Sequence, residues 1–281
     1  MKNTKFRTDL ALEAANTGDK KLPKGVFVEE KEVGNLTLTV VEIETESASK
    51  RLNRKKGRYV TIEGDFFYKD EFVSLLEEEV KKLLPKGKIL VSGFGNINIT
   101  PDSIGPLTAQ KIIATSHLRD EFRKNFALEG LRDVSVVFPG ATGQTGIETG
   151  EQIKSLIDRF SFDGLLTIDA LAALSSKRLG TTVQICSSGI SPGSGVGNRR
   201  SEISSDTMGI PVISIGVPTV TDAFTILGEA GKREESSCKD NMILTPKDID
   251  SIVKKSVEVL SEALNYALQE NIERTSIRLL S

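Results

Sequence analysis

The sequence predicts an α/β fold, with a mostly parallel sheet, helices on both faces, and an antiparallel β-rich insertion near the N-terminus at about residues 25–65. Three observations carry this. From residue 88 onward, short apolar runs alternate with helical patterns. Runs such as Ile89-Leu90-Val91 are apolar throughout, as expected of strands covered on both faces. Before residue 65, by contrast, Leu36-Thr37-Leu38-Thr39-Val40 alternates with period two behind a Gly34-Asn35 turn, the signature of a hairpin.

In chain order, residues 1–24 are polar and aperiodic and read as a flexible arm. Strands are expected at Val26-Phe27-Val28, Leu36–Ile43 and Tyr59–Glu63. Between them, Lys50, Arg51, Arg54, Lys55, Lys56 and Arg58 read as a solvated loop or a docking patch for an acidic partner. A helix over Asp70–Leu84 places Phe72, Leu75, Leu76, Val80, Leu83 and Leu84 on one face and stops at Pro85-Lys86-Gly87. Strands follow at Ile89–Val91, Val134–Phe138, Leu165–Ile168, Thr182–Ile185 and Val212–Ile215. Helices are expected at Ile104–Thr115, Ile153–Phe160, from Ala170, and at Thr221–Leu227. Thr245-Pro246-Lys247-Asp248 signals the start of a last helix, whose stripe is Ile249, Ile252, Val253, Val257, Leu260, Leu264 and Leu268.

Composition removes several classes of function. The formal charge is −2 over 281 residues, which gives no electrostatic case for nucleic acid or an anionic membrane. No apolar run approaches the ~18–20 residues of a membrane span, and the polar N-terminus does not read as a secretory signal. The expected location is cytoplasmic. Cys186 and Cys238 are far apart and outside any CxxC pair, so no thiolate metal site or disulfide is expected. The single histidine, His117, cannot build a multi-His zinc site and reads as a packing or helix-capping residue. No G-x-S-x-G elbow is present. Hydrolytic chemistry must therefore rest on carboxylates, hydroxyls, backbone groups or a carboxylate-bound metal.

In open parallel sheets, sites form outside the carboxyl ends of the strands. That rule selects Asp102, after the strand at 89–92, and Asp169, directly after the strand at 165–168. Two carboxylates on one sheet edge suit peptide hydrolysis: repulsion and desolvation keep one protonated while the other ionises, giving an acid and a base. Such a pair titrates as a unit, so neither role is assigned to either residue. The alternative for each is a helix N-cap. The glycine-rich segment Ser188–Arg200 offers backbone N–H groups to an anion, an oxyanion or a peptide; it lacks the Gly-Lys-Ser/Thr of a Walker loop. Its alternative is a long surface loop.

Together these segments resemble the germination protease family. The matching stretches are Arg7-Thr8-Asp9-Leu10-Ala11, Lys56-Gly57-Arg58-Tyr59-Val60-Thr61, Gly93-Phe94-Gly95-Asn96 with Thr100-Pro101-Asp102 and Gly105-Pro106, Thr145–Thr149, Ile168-Asp169-Ala170-Leu171-Ala172-Ala173, Ser188-Gly189-Ile190 through Asn198, Gly209–Val212 and Gly216–Val220. The resemblance covers residues 6–225; the C-terminal part looks short for the family.

The resemblance implies an endopeptidase that starts the degradation of small acid-soluble spore proteins in the spore core. It implies a zymogen that removes a short propeptide by self-cleavage, a homotetramer, and an atypical aspartic mechanism with Asp102 and Asp169 as the catalytic pair, without cofactor or metal. Family substrates are cut between an acidic residue and an apolar residue followed by alanine. Thr8-Asp9-Leu10-Ala11 has that form, so the expected cut lies between Asp9 and Leu10. Residues 1–9 would then be propeptide and residues 10–281 a single peptidase domain. Gly193, Gly195, Gly197, Asn198 and Arg199 are the candidate substrate-binding residues, with Arg199 and Arg200 placed to pair with the substrate acid.

Two other readings stand beside this one. The loop Gly93-x-Gly95-Asn96…Asp102-x-x-Gly105 is also similar to that of the hydrogenase-maturation peptidases, a phosphorylase/hydrolase-like sheet with a bound metal. A metal-assisted peptidase would use Asp102, Asp169 and Glu148 as hard oxygen ligands. A non-catalytic anion-binding module would use the 188–200 loop alone.

Overall fold

The computed structural model describes residues 8–15, 22–65, 69–125, 128, 130–190, 201–229 and 242–280. The chain begins with a short helix, α1 (Ala11–Ala15), and the hairpin β1 (Val26–Val33) and β2 (Leu36–Ile43). Helix α2 (Glu46–Leu52) is N-capped by Thr45, whose hydroxyl accepts the Ala48 N–H, and leads to β3 (Gly57–Glu63). Helix α3 (Lys69–Leu83) precedes β4 (Ile89–Gly93), a 3₁₀ turn at Thr100–Asp102 and α4 (Ile104–Gln110). Then come α5 (Asp120–Asn125), β5 (Val134–Val137), α6 (Thr142–Thr145), α7 (Thr149–Phe160) and β6 (Gly164–Ala173). The chain continues through β7 (Thr182–Cys186), α8 (Ser205–Met208), β8 (Val212–Asp222), α9 (Ala223–Glu229), β9 (Ile243–Leu244), α10 (Ile249–Leu268) and α11 (Arg274–Leu280).

Among the described residues, the strands form one sheet in the order β1-β2-β3-β7-β8-β6-β4-β5, with β9 paired to β8. Parallel pairing holds β5-β4-β6-β8 together, while β1, β2, β3 and β7 run antiparallel to their neighbours. The sheet is thus mixed. The antiparallel N-terminal strands continue the same sheet, and β3 joins them to the parallel part through β7.

Helices cover both faces, and side-chain alternation along the strands sorts the core accordingly. Val60, Ile62, Val183, Ile185 and Ile215 point to one face, against Phe72 and Leu76 of α3, Ile104 of α4 and Leu260 and Leu264 of α10. Their sequence neighbours Tyr59 and Cys186 point to the other face, against Ala11 and Ala15 of α1 and Ala48 and Leu52 of α2. Further along that face Leu90, Leu165 and Val212 pack against Ile153 and Ile157 of α7.

Several expectations need correction. Over residues 8–15 the arm is anchored: Leu10 and Ala11 are fully buried, because they complete apolar clusters on the sheet; residues 16–21 lie outside the described part. Residues 1–7 lie outside the described part. No helix begins at Ala170; β6 runs on to Ala173, since pairing with β8 outweighs the helix propensity of Ala-Leu-Ala-Ala. Likewise β8 extends to Asp222, and α9 starts only at Ala223. Helix α4 ends at Gln110, and α10 starts at Ile249, with Pro246 in the preceding turn. His117 is exposed in a turn and neither packs in the core nor caps a helix.

Candidate active site

Asp102 owes its position to two glycines. Strand β4 ends at Gly93, and the Phe94 N–H donates to Ile168 O of β6 at 2.8 Å. A Cβ on Gly105 would lie 2.1 Å from Phe94 O and 2.5 Å from Ile168 O, so only glycine lets α4 sit against these two strands. Gly95 has φ +120°, and a Cβ there would lie 2.0 Å from Asp102 O. The loop therefore folds back onto the 3₁₀ turn. Asp102 Oδ2 accepts the Asn96 N–H at 2.7 Å, and Asn96 Oδ1 in turn accepts from Gln144 Nε2 at 2.9 Å. The carboxylate is turned to the loop, and Ser103, not Asp102, occupies the N-cap position of α4.

Asp169 lies within β6 rather than after it, opposite Gly216 of β8, and is buried. Its Oδ1 accepts the N–H of Ala170 at 2.9 Å. An N-cap role is excluded, because the chain remains in a strand on both sides.

The two aspartates line one cavity of about 560 Å³ together with Asp9, Arg54, Tyr59, Gln184, Cys186 and Ser188–Ile190. Burial pushes the Tyr59 hydroxyl up to about 12, with the adjacent Cys186 adding to the shift. Burial also pushes the Cys186 thiol up, which keeps it protonated and a poor nucleophile. Glu148 precedes α7, beside the lining residue Thr149. Among the described residues, no three His, Cys, Asp or Glu side chains gather as a metal-binding group.

The N-terminal segment lies in this cavity as an extended peptide would. Strand β4 pairs with β6 only as far as Gly93 opposite Ile168, so the last residues of β6 run past it. Asp9 binds that overhang: its N–H donates to Ala172 O at 2.9 Å, and its Oδ2 accepts the Ala172 N–H at 2.9 Å. Arg54 donates to Thr8 O. Gln184 Nε2 donates to Asp9 O at 3.1 Å, and Gln184 Oε1 accepts the Ala11 N–H at 2.7 Å. Leu10 fills an apolar pocket of Leu171, Ala173 and Leu179. Below it, buried Glu13 accepts from the N–H groups of Leu174 and Ser175 and from Arg178, and so ties α1 to the end of β6.

Asp9, Leu10, Asp102 and Asp169 are thus neighbours in space. Gly193, Gly195, Gly197, Asn198, Arg199 and Arg200 lie outside the described residues, as does Cys238; the preceding Ser188, Gly189 and Ile190 do reach the cavity. Four of the six residues of the basic run are engaged: Lys55 pairs with Glu202, Lys56 with Glu46 and Arg58 with Glu42, while Arg54 holds Thr8; Lys50 and Arg51 are exposed in the last turn of α2. Gln184 and Ala172 are absent from the sequence-based candidates. A glutamine in the apolar run Val183-Gln184-Ile185 was the one available signal.

The family model described as germination protease matches residues 7–231, a span that contains Asp9, Asp102 and Asp169. The chain belongs to the germination protease family. It is 42% identical to the germination protease of Oceanobacillus iheyensis, with 95% of each chain covered. It is 38% identical to that of Caldanaerobacter subterraneus subsp. tengcongensis, again over 95% of each. The match to the Clostridium acetobutylicum germination protease is 34%, covering 96% of this chain and 97% of that one. The alignment with the Oceanobacillus relative runs over 353 residues, more than the 281 of this chain, so that relative carries insertions. Among solved structures, a [NiFe] hydrogenase maturation protease HycI from Thermococcus kodakarensis KOD1 is similar, with TM-score 0.42 and 16% identity over 68% of this chain and 98% of that one. As a germination protease family member the chain is a peptide-bond hydrolase of spore germination. No described helix is long and apolar enough to cross a membrane.

Proposed function

We propose that this germination protease is an endopeptidase that initiates breakdown of small acid-soluble spore proteins in the spore core, made as a zymogen that cuts its own chain between Asp9 and Leu10 and working as a homotetramer. Asp102 and Asp169 are its catalytic pair. The observation that carries this reading is the placement of Asp9 in the cavity lined by both aspartates, with its backbone bonded to Ala172 as a bound peptide strand would be.

The chemistry follows from two carboxyl groups sharing one desolvated site. The pair retains one proton. The ionised member takes a proton from water, whose oxygen adds to the carbonyl carbon of the acidic residue before the cut. The protonated member hydrogen-bonds the carbonyl oxygen, and a proton delivered to the departing nitrogen completes the break. Substrates would lie along the overhang of β6, with the apolar residue after the cut in the Leu171–Ala173–Leu179 pocket. Ser188, Gly189 and Ile190 line the same cavity.

The test is cleavage of a purified acid-soluble spore protein by wild type, Asp102→Asn and Asp169→Asn after exhaustive chelation. Folded but inactive mutants beside an active wild type are expected. Near-normal activity in both mutants would remove the site assignment. Loss on chelation with recovery on adding metal would replace the metal-free pair by a metal-assisted one. Separately, an Asp9→Ala chain that still matures at this bond would refute self-recognition of Asp9.

A further inference from the structure

Gln184 stands in one row with the site across three strands. On β7 it lies opposite Gly216 of β8, which lies opposite Asp169 of β6. Directly opposed residues share a face of the sheet, so Gln184 and Asp169 project to the same side, with a glycine between them. The glutamine is buried, 6% exposed, in a strand whose neighbouring residues Val183 and Ile185 are core aliphatics. A buried primary amide needs partners for its donor and its acceptor.

Both partners are main-chain groups on either side of one residue, Leu10. Oε1 accepts the Ala11 N–H at 2.7 Å, and Nε2 donates to Asp9 O at 3.1 Å. The orientation of the amide is unambiguous: a backbone N–H can only donate and a carbonyl oxygen can only accept. The Asp9 carbonyl belongs to the bond between Asp9 and Leu10.

We propose that the Gln184 side-chain amide is an oxyanion-binding group of this protease, acting beside the protonated carboxyl, and that its second bond, to the residue two places after the acid, fixes which peptide bond is cut. The proposal rests on the self-cleavage reading above. When water adds to the Asp9 carbonyl carbon, the C=O π pair moves to oxygen, and Nε2–H faces the charge that forms there. The carboxylate pair takes the proton from water and supplies one to the Leu10 nitrogen, the C–N bond breaks, and the oxyanion collapses to the new Asp9 carboxyl. Gln184 neither gains nor loses a proton. In substrates supplied in trans, the same amide would take the carbonyl of the acidic residue and the N–H of the second residue after it.

The experiment compares self-processing of the full chain as wild type, Gln184→Glu and Gln184→Met, with Asp169→Asn as the inactive reference. Release of residues 1–9 is followed by mass spectrometry, and folding by thermal melts and amide exchange at Ala11. Gln184→Glu keeps an acceptor for the Ala11 N–H and, at the alkaline end of the assayed pH range where its carboxyl is ionised, offers no donor to the carbonyl; Gln184→Met removes both. Both variants should process about 10²–10³-fold more slowly, as expected for loss of one oxyanion donor, and Gln184→Glu should do so with Ala11 still protected. Gln184→Glu processing at the wild-type rate would overturn the proposal and leave Gln184 as an anchor for Ala11 only. Should Gln184→Glu not fold, Gln184→Met processing at the wild-type rate overturns the proposal, and slow processing with amide exchange at Ala14 and Leu174 unchanged, the segment still seated, supports it. A wild type that never cuts between Asp9 and Leu10 overturns the self-cleavage reading itself, and this proposal with it, whatever the variants do.

Discussion

Replacing Gly95 by alanine tests how the fold places Asp102. The φ of +120° is one that L side chains rarely adopt, a strain of about 1–3 kcal/mol. The new methyl group would also sit 2.0 Å from the backbone oxygen of Asp102 and 3.1 Å from its Oδ1. Backbone cannot swing aside as a side chain can, so the 95–102 loop must open, at a further ~1–3 kcal/mol. A combined loss of about 4 kcal/mol corresponds to a fall in Tm of roughly 10 °C for a chain of this size. Under the role proposed for Asp102, activity should fall further than stability suggests, because displacing a catalytic group by ~1 Å is worth about 100-fold. Gly143→Ala is the matched control: nothing lies within 4 Å of its Cβ position, and it sits in α6. That change should be neutral or stabilise by about 0.5 kcal/mol. Thermal melts and cleavage rates of both variants are the assay. A Gly95→Ala protein with wild-type Tm and rate would refute the claim that this glycine shapes the site.

Glu13→Ala should cost about 3 kcal/mol, since it strips a carboxylate partner from Arg178 and from two backbone N–H groups, partly offset by Glu63, which stays paired with Arg178; denaturant melts read it, and amide exchange at Leu174 and Ser175 should rise. Tyr59 gives a pH signature. Its folded-state value of about 12 lies above that of an unfolded tyrosine, so the folded chain holds the proton longer. That contribution is complete below about pH 10 and is lost as pH rises toward 12, up to about 3 kcal/mol in all; Tyr59→Phe should flatten this part of the stability profile, and an unchanged profile would count against it. Leu10→Ala should destabilise the full-length chain by about 2–4 kcal/mol, because the side chain is fully enclosed; a change under 1 kcal/mol in thermal melts would mean that the segment is not seated.

The pattern of the sequence revealed the part of the site that depends on local order. Strand 89–93 and the glycines after it mark where a chain turns at a sheet edge, and Asp102 follows from that. Asp169 was selected by the same rule for an incomplete reason. Its strand does not end there but continues to Ala173, because β8 alongside it is equally long. Alanines and leucines favour a helix in isolation, and only the neighbouring strand decides against it. The seat of Thr8–Ala11 was hidden for a similar reason. Its partners Arg54, Ala172 and Gln184 come from three distant stretches, and nothing in a polar N-terminus announces them. The antiparallel course of β7 brings Gln184 into the row of Asp169; strand direction is a property of the whole sheet, not of Thr182–Cys186.

The outermost strand has a consequence for how this molecule meets its copies. Among the described residues β1 pairs only with β2, and most of its residues are exposed, including the run Glu29-Glu30-Lys31-Glu32. A second copy approaching edge to edge would bring glutamates against glutamates before any backbone bond could form. That repulsion is long-ranged in dilute buffer and fades once salt shortens the screening length below ~10 Å. The charges of the strand therefore work against stacking along the sheet at low salt.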